Sequence, residues 1–506
     1  MTAIMSTPTV AIVGAGISGI ATADVLQRCG FRVRLFERAE RVGGVWARAY
    51  PGIRLQNTAA QYHLSSFPWP FEPDEHPTGE QILRYLDAAV VAKRLDVRLD
   101  TQVVSVVRDG AGWQVTTRHA GHESVDRFDH VVLSIGQYTE GKHRPELPGE
   151  ATFGGRVVTE REVKDLSIFE GQRVAVVGFG KSALDMACLA VGRARSVTHV
   201  FRTARWTLPR TVFGLHFTHL LFNRFGSVMM PSWAHPTAAE RALHRVAPIV
   251  RGFWSGLERL VETLAARQGA GHGPAGAARM ATVKPAHGLV PDLRSAAALA
   301  PDSYYGHVGS GAIEPVRAEV EGFTTTGLVT SAGLIEADLV VLSVGSCSPS
   351  FPFLAPELRQ VLEAEADGVQ LYRHLVHPAV PGLGFAGYNH GFMHVPAAEV
   401  GALWLAALWR GELELPPTAE MVKAIDHVTA WKRQHIHFEP SRSCAINTRF
   451  QQYLDILLQD LGVSPYRKPN PVAEVLVRYG AADYAGVVDE YLTGPRTTRR
   501  PQPVMT

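Results

Sequence analysis

The sequence predicts an α/β fold with two parallel sheets, because one pattern of strand, glycine-rich turn and helix occurs twice. The two turns are Gly14-Ala15-Gly16-Ile17-Ser18-Gly19 and Gly178-Phe179-Gly180-Lys181-Ser182-Ala183. Each follows a run of apolar, mostly β-branched residues that predicts a buried strand. In such a turn the first glycine permits the tight bend, the second lets a pyrophosphate approach, and the third small residue lets helix pack on strand. We therefore predict two Rossmann-like dinucleotide-binding domains, with phosphates at the helix N-termini.

The candidate phosphate-binding residues come from both turns. They are Gly14, Gly16 and Gly19 in the first, and Gly178, Gly180, Ser182 and Ala183 in the second.

The first unit is nearly complete. Thr9–Val13 predicts a strand, Ile17–Cys29 a helix and Phe31–Phe36 a second strand, which ends in Glu37. An acid about twenty residues past the turn accepts hydrogen bonds from the ribose of a bound dinucleotide. The alternative is a surface glutamate that follows an ordinary βαβ unit.

The second unit differs at the corresponding acid. Its second predicted strand, Ser196–Phe201, ends in Arg202, with Arg205 close behind. Because an acid repels a 2′-phosphate and an arginine binds it, this site is predicted to prefer NADPH over NADH. A solvated arginine at a strand end is the alternative for Arg202.

Composition excludes several classes of protein. The chain has 506 residues, enough for two or three domains, and a formal net charge of +2, which gives no overall electrostatic case for nucleic acid or an anionic membrane. We find no signal-peptide pattern at the start and no run of about eighteen apolar residues. We therefore expect a cytoplasmic protein that binds neither nucleic acid nor membrane.

The four cysteines, Cys29, Cys188, Cys347 and Cys444, show no CxxC or CxxxxC spacing. A disulfide reductase also uses paired nucleotide domains, but it needs two neighbouring thiols to receive electrons. The spacing therefore excludes that class and predicts reduced, buried cysteines.

The positions of the two units predict the domain organisation. Residues 1–150 form the first part of the first dinucleotide domain, residues 151–335 form the second domain, and residues 336–506 return to the first domain and add a C-terminal helical region. Within the second domain, residues of about 206–284 form a helical and loop insertion, in which Gly269–Ala278 predicts a flexible loop. The insertion is interpreted either as a substrate-facing lid or as helices that pad the second domain.

Several further segments carry motifs besides the two turns. They are Gly43-Gly44-Val45-Trp46 (GGxW), Tyr50-Pro51-Gly52-Ile53-Arg54 (YPGxR), Asn57-Thr58 with Phe67-Pro68-Trp69-Pro70, Phe201-Arg202-Thr203-Ala204-Arg205-Trp206, and Ser343–Leu354. Together with the turns, these segments resemble the class B flavoprotein monooxygenases, which include flavin-containing monooxygenases, N-hydroxylating relatives and Baeyer–Villiger monooxygenases. The similarity extends over most of the chain.

The resemblance implies FAD in the first domain and NADPH in the second, with the NADPH domain inserted into the FAD domain. It implies a monooxygenase in which NADPH reduces FAD, a C4a-(hydro)peroxyflavin forms with dioxygen, and one oxygen atom enters a small organic substrate. It places Asn57 beside the flavin as the catalytic candidate, and Gly44, Trp46, Arg54 and Thr58 at the cofactors. The alternatives are a turn cap for Asn57, a core position for Trp46 and a loop-joining salt bridge for Arg54.

Departures from the family pattern favour oxygenation at nitrogen or sulfur. Baeyer–Villiger enzymes carry an Asp two positions after the YPGxR arginine to support a catalytic arginine, and this chain has Gln56 there. The linker motif that begins at Phe153 is degenerate, with Thr159 at its histidine and Val163 at its aromatic residue, and Lys164 falls where flavin-containing monooxygenases commonly have lysine. A Baeyer–Villiger monooxygenase on a ketone and a non-oxygenating redox sensor remain the alternatives.

Histidine pairs along the chain do not predict a metal site. His216 with His219, His390 with His394, and His435 with His437 lack neighbouring cysteine or carboxylate ligands at zinc-site spacing. We therefore expect no metal, and we expect a small-molecule substrate and dioxygen as partners, with a homodimer as one option for assembly.

Overall fold

The computed structural model describes residues 7–137, 141–212, 214–230, 232–233, 238–269, 271–295, 298–389, 391–435, 450–495 and 497–502. Cys444, His390 and His437 lie outside these ranges. In chain order, the strands are β1 (Thr9–Val13), β2 (Arg32–Phe36), β3 (Val97–Arg98), β4 (Thr101–Asp109), β5 (Gly112–His119), β6 (His122–Phe128), β7 (His130–Leu133), β8 (Arg156–Thr159), β9 (Arg173–Val177), β10 (Ser196–Phe201), β11 (Thr207–Leu208), β12 (Thr211–Val212), β13 (Leu215–His216), β14 (Ala298–Leu299), β15 (Glu314–Arg317), β16 (Val320–Phe323), β17 (Gly327–Thr330), β18 (Gly333–Glu336), β19 (Leu339–Leu342) and β20 (Leu383–Phe385).

The helices cover the sheets and form most of the insertion and the C-terminal region. They are α1 (Ile17–Arg28), α2 (Gly79–Ala92), α3 (Lys181–Ala190), α4 (Thr218–Leu221), α5 (Arg224–Val228), α6 (Ala238–Arg245), α7 (Ala247–Gly269), α8 (Gly273–Thr282), α9 (Leu289–Ser295), α10 (Tyr304–Ser310), α11 (Pro356–Leu362), α12 (His394–Trp409), α13 (Thr418–His435), α14 (Phe450–Asp460), α15 (Pro471–Leu476) and α16 (Val487–Thr493).

Two five-stranded parallel sheets confirm the predicted fold class. Their strand orders are β20-β7-β1-β2-β3 and β15-β10-β9-β19-β8. The central strands, such as β1 and β9, are apolar because helices or other sheets cover both faces. Each large sheet is accompanied by a three-stranded antiparallel sheet, β4-β5-β6 or β16-β17-β18, inserted at the same point in the chain order. The two domains therefore repeat one topology.

The boundary between the domains lies later than the sequence indicates. Strand β19 pairs in parallel with β8 and β9, so it belongs to the second sheet. The division expected at residue 335 therefore falls before a strand that the second domain needs.

Helices α1 and α12 pack together in the largest hydrophobic core. Helix α12 is apolar around most of its circumference and is buried from Val395 to Ala407, as expected for a helix enclosed on all sides. Within the described ranges, we find no helix with the length and apolar character needed to span a membrane.

Two parts of the insertion differ from expectation. The segment predicted as a flexible loop contains helix α8, which starts with a proline in its first turn. In addition, side chains of the insertion, among them Phe217, Phe222 and Trp254, are buried in the core of the first domain. Helices α7 and α8 also contact α10 of the second domain. The insertion therefore bridges both domains and does more than pad the second one.

Candidate active site

Both glycine turns open onto one cavity of about 1250 Å³. The turns follow β1 and β9, so the cavity lies outside the carboxyl ends of the two parallel sheets, where ligands bind in open α/β folds. The cavity is also bordered by Trp46, Asn57 and His394. The fold therefore brings the two predicted dinucleotide sites and the catalytic candidate into one space.

The first glycine of each turn is required by the fold. Gly14 has a φ of +107° and Gly178 a φ of +122°. An added Cβ would lie 2.3 Å from the carbonyl oxygen of Ser134 in the first case and 2.3 Å from that of Ser343 in the second. These are equivalent contacts in the two domains, so the turns share their structure as well as their sequence pattern.

The middle glycines leave the space that a pyrophosphate needs. A Cβ on Gly180 would meet nothing within 4 Å, and one on Gly16 would meet a single atom, at 3.8 Å. At the third position the turns differ, since a Cβ on Gly19 would lie 2.1 Å from a backbone oxygen, whereas Ala183 is a buried alanine. The two turns therefore leave space for dinucleotide phosphates, and the second turn accommodates the Cβ of Ala183 where the first has no room for one at Gly19.

Glu37 borders the cavity at the end of β2, and only 7% of its surface is exposed. Its carboxylate accepts hydrogen bonds from the backbone N–H groups of Ala15 and Ala39, each at 3.0 Å. Because Ala15 lies inside the first glycine turn, the acid also fixes the turn. This location is the one that the predicted ribose contact requires.

The two arginines of the second unit have different surroundings, although both border the cavity. The Arg202 side chain is 77% exposed and lies 3.6 Å from the carboxylate of Glu319. The Arg205 side chain is mostly buried, and its Nη1 lies 3.2 Å from the buried carboxylate of Asp292. Arg202 is therefore the more accessible group for a 2′-phosphate. Glu319 and Asp292 are distant from the two arginines in the sequence, so no local pattern predicts these contacts.

A buried cluster joins the two domains beside the second turn. The hydroxyl of Tyr50 donates to Asp185 Oδ2 at 2.7 Å, and Lys181 Nζ donates to the same oxygen. Burial and the neighbouring Asp185 raise the pKa of Tyr50 well above its usual value, so this phenol stays protonated. Ser182 borders the cavity at the start of α3. No local pattern in the sequence could have linked Tyr50 to Asp185.

Asn57 is buried in the cavity wall, where its backbone and side chain are both held. Its side-chain Nδ2 donates to the carbonyl oxygen of Phe392 at 2.5 Å, and its own carbonyl lies 3.1 Å from His76 Nδ1. The preceding residue, Gln56, accepts the backbone N–H of Leu299 at 3.0 Å through its Oε1. The position that would hold an acid in Baeyer–Villiger enzymes thus makes a neutral backbone contact.

Aromatic side chains form the wall next to Asn57. Trp46 Nε1 donates to the hydroxyl of Tyr62 at 2.6 Å, and the Tyr62 ring lies edge-on to His394 with centroids 5.1 Å apart. Burial lowers the pKa of His394 to about 4, so this imidazole is neutral at physiological pH. Gly44, with a φ of +56°, lies at the cavity beside the first turn. This part of the wall is therefore apolar or uncharged.

Arg54 and Thr58 have structural partners. Arg54 Nη1 lies 2.5 Å from Asp74 and donates to the carbonyl of His76 at 3.0 Å, while the residue still borders the cavity. Thr58 forms a capping box with Gln61 at a short 3₁₀ helix and is not among the residues that border the cavity. Arg54 therefore forms a salt bridge between two loops, and Thr58 caps a short helix.

Two dinucleotide folds around one cavity define an oxidoreductase that binds two dinucleotides. Comparison with known proteins identifies the class of oxidoreductase. The family model for pyridine nucleotide-disulphide oxidoreductases matches residues 11–230, and the model for flavin-binding monooxygenase-like proteins matches residues 287–472. The residues between these matches, 231–286, lie almost entirely in the insertion.

Individual relatives agree with the family models. Probable flavin-containing monooxygenase 1 of Arabidopsis thaliana is 27% identical over 94% of this chain and 96% of its own length. The N-oxide-forming dimethylaniline monooxygenase 2 of Rattus norvegicus is 26% identical over 90% of this chain and 83% of its own. An open crystal structure of cyclohexanone monooxygenase has a TM-score of 0.67 at 19% identity, covering 90% of this chain and 98% of that one, and shows the shared fold.

The chain is a flavin-dependent monooxygenase that is similar to the flavin-binding monooxygenase-like proteins. It is an enzyme that uses FAD, NADPH and dioxygen. The open middle positions of both glycine turns and the buried Glu37 fit these cofactors, because they provide the space and the acid that bound dinucleotides require.

Proposed function

We propose that this enzyme transfers one oxygen atom to a nitrogen or sulfur atom of a small organic substrate. The observation that carries the proposal is the amide pair Gln56-Asn57, in which Gln56 contacts a backbone N–H instead of an arginine and Asn57 lies in the cavity wall. A relative, the dimethylaniline monooxygenase of Rattus norvegicus, is described as N-oxide-forming. Oxygenation of such atoms needs no cation to hold a deprotonated oxidant.

The two dinucleotide sites have separate tasks in this proposal. The first turn and Glu37 hold the pyrophosphate and ribose of FAD, and the second turn with Ser182 holds the pyrophosphate of NADPH. Arg202 receives the 2′-phosphate, for which it must exchange its exposed contact with Glu319. When bound, the cofactors supply two electrons to dioxygen, so that one oxygen atom enters the substrate and the other becomes water.

Asn57 is the residue that we expect to act at the reacting oxygen. One N–H of its side chain donates to Phe392, and the other is the group that we propose donates to bound oxygen or nicotinamide. An amide donates without being an acid, so it does not promote release of hydrogen peroxide. Trp46, Tyr62 and neutral His394 shield this region from water.

A Baeyer–Villiger reaction on a ketone is the second candidate, because cyclohexanone monooxygenase shares the fold. The discriminating experiment supplies the FAD-loaded enzyme and NADPH with matched amines, sulfides and ketones and identifies the products by mass spectrometry. We expect N-oxides, hydroxylamines or sulfoxides. Esters or lactones as the sole products would overturn the proposal and favour the second candidate.

We also propose a cytoplasmic location. Cys29, Cys188 and Cys347 are free thiols, as expected in a reducing compartment. Fluorescence microscopy of the tagged protein in its native cell tests this location.

A further inference from the structure

Three potential metal ligands from distant parts of the chain meet beside the candidate active site. Glu75 and His76 precede helix α2, and His216 ends strand β13 in the insertion. Their ligand atoms all lie within 4.8 Å of one another, and the two Nε2 atoms are 2.9 Å apart. Both histidines are buried, whereas Glu75 is exposed. We name these three residues the His–Glu cluster.

The outer nitrogens of both histidines have partners that suit metal ligands. His76 Nδ1 lies 3.1 Å from the carbonyl oxygens of Leu55 and Asn57, and carbonyls only accept hydrogen bonds. His76 Nδ1 therefore carries the proton, and Nε2 presents a lone pair. His216 Nδ1 lies 2.8 Å from the hydroxyl of Thr218 and accepts the backbone N–H of the same residue at 3.3 Å, so in the metal-free protein the His216 proton is on Nε2 and is donated to His76 Nε2. A metal ion at the two Nε2 atoms would take the place of this proton, and His216 Nδ1 would then donate to the Thr218 hydroxyl. Contacts of this kind orient metal-binding imidazoles in proteins.

We propose that the His–Glu cluster binds one zinc ion, with a water molecule as the fourth ligand. Two imidazoles and one carboxylate are a common zinc ligand set, whereas magnesium and calcium prefer oxygen ligands. Nitrogen ligands at about 2.0 to 2.1 Å on a tetrahedral ion lie about 3.3 Å apart. The histidine side chains must therefore separate by a few tenths of an ångström from their present 2.9 Å.

Positive charges near the His–Glu cluster limit its affinity for zinc. Arg210 and Arg478 lie close enough to act electrostatically on His76 and His216, respectively, and both are cations. Arg210 is offset by Asp302, whose carboxylate lies 3.2 Å away. Glu75 supplies the negative charge at the ion itself, so loss of Glu75 is expected to weaken binding even though this residue is exposed.

A bound ion would connect the insertion to the segment that holds Asn57. His76 contacts the Asn57 carbonyl, and His216 lies in the insertion, 140 positions away. The ion therefore stabilises the active-site wall and takes no part in oxygen transfer. Zinc-site motifs are recognised by ligands that lie close together in the sequence. His216 is 140 positions from His76, so the sequence predicted no metal here.

The test uses the full-length, FAD-loaded protein, purified without a metal-affinity tag and treated with a chelator. Zinc is titrated alone, and bound zinc and the melting temperature are measured. We expect one zinc per chain that is absent from His216→Ala, at least a tenfold loss of affinity in Glu75→Gln, and a zinc-dependent rise in the melting temperature of the unmodified protein that His216→Ala lacks. Magnesium is expected to give no such rise.

His219→Ala is the matched control, because His219 is an exposed histidine three positions from His216 and outside the His–Glu cluster. This variant should bind zinc like the unmodified protein. Equal zinc binding by the unmodified protein and both cluster variants would overturn the proposal, as would the absence of any zinc-dependent stabilisation. Glu75→Gln keeps the test valid if His216→Ala fails to fold, since Glu75 lies at the surface.

Discussion

Arg202 and Arg205 are three positions apart, yet the fold gives their side chains different surroundings. Asp292 holds Arg205 inside the protein, and it also accepts the backbone N–H of Trp206 at 2.8 Å. Arg202 extends into solvent at the cavity edge. We therefore assign cofactor selectivity to Arg202 and a structural role to Arg205.

Arg202→Ala is expected to raise the KM for NADPH roughly ten- to a hundredfold, because a charge-assisted contact to phosphate is lost. The KM for NADH should change little, since NADH has no 2′-phosphate. Steady-state NAD(P)H oxidation measures both constants. Arg195→Ala, which directly precedes strand β10 as Arg202 directly follows it, is the control and should leave both unchanged. Equal effects of Arg202→Ala on the two cofactors would contradict the assignment.

Asn57→Ala is expected to separate NADPH consumption from substrate oxygenation. Hydride transfer depends on the dinucleotide sites, so NADPH oxidation should continue. Loss of a donor at the reacting oxygen should redirect electrons to hydrogen peroxide, with product formation falling about a hundredfold. Peroxide and product per NADPH are the quantities to measure.

The control for Asn57 is Thr78→Ala, which removes the cap of helix α2 near the site. The Thr78 side chain accepts the backbone N–H of Gln81 at 3.1 Å, so this variant should lower the melting temperature and keep product per NADPH unchanged. If Asn57→Ala behaves like Thr78→Ala, Asn57 is a structural residue only.

Residues that follow a local rule were predictable from the sequence. The tight turn between strand and helix predicts Gly14 and Gly178, and the spacing of about twenty residues after the first turn predicts Glu37. Asp292 and the Tyr50–Asp185 contact were not predictable, because they join residues far apart in the chain whose proximity only the folded structure creates.

At the scale of elements, the strongly apolar segments were predicted well and the polar or small-residue segments were not. Strand β1 has the expected bounds because a buried parallel strand is a continuous apolar run. Strand β10 also has the expected bounds, although its buried Val197, Val200 and Phe201 alternate with polar residues. Strand β6 is mostly exposed and therefore has a weak pattern. Helix α8 looks like a loop because of its glycines, but Gly276 allows close packing, since a Cβ there would lie 2.9 Å from the carbonyl of Gly309.

Two substitutions in the second glycine turn separate obstruction of NADPH binding from destabilisation of the fold. Gly180→Ala meets open space and has no positive φ, so the protein should fold and keep its FAD, while the added methyl group obstructs the pyrophosphate and raises the KM for NADPH at least tenfold. Gly178→Ala places a Cβ 2.3 Å from Ser343 and should lower the melting temperature. Thermal melts and NADPH kinetics on both variants test this. A destabilised Gly180→Ala protein would contradict the expectation of open space.

At the scale of the molecule, a repeated topology generates two nucleotide sites that face each other. The insertion then reaches from the second domain into the core of the first. The duplication was visible in the sequence as two similar turns. The bridging role of the insertion was not, because an aromatic segment such as Trp206–Trp233 has the same composition whether it lines a pocket or packs in a core.

The packing of α1 on α12 buries two acids with one cation, which should make the stability of the whole fold depend on pH. Glu399 of α12 accepts hydrogen bonds from the Ser65 backbone and side chain, and Asp24 of α1 lies 3.3 Å from Lys93. Burial, opposed by the Ser65 hydrogen bonds and with a further contribution from Asp24, raises the pKa of Glu399 from 4.5 to about 8.

Glu399→Gln is expected to stabilise the protein increasingly as the pH rises from about 5 to 8. In this window the folded state keeps the Glu399 proton and the unfolded state has lost it, so folding stability falls with rising pH by up to about 1.4 kcal/mol per pH unit. Glutamine has no proton to lose and can still accept the Ser65 N–H. The difference in melting temperature between variant and unmodified protein should therefore be small at pH 5 and grow toward pH 8. A difference that does not vary with pH would show that Glu399 is ionised throughout.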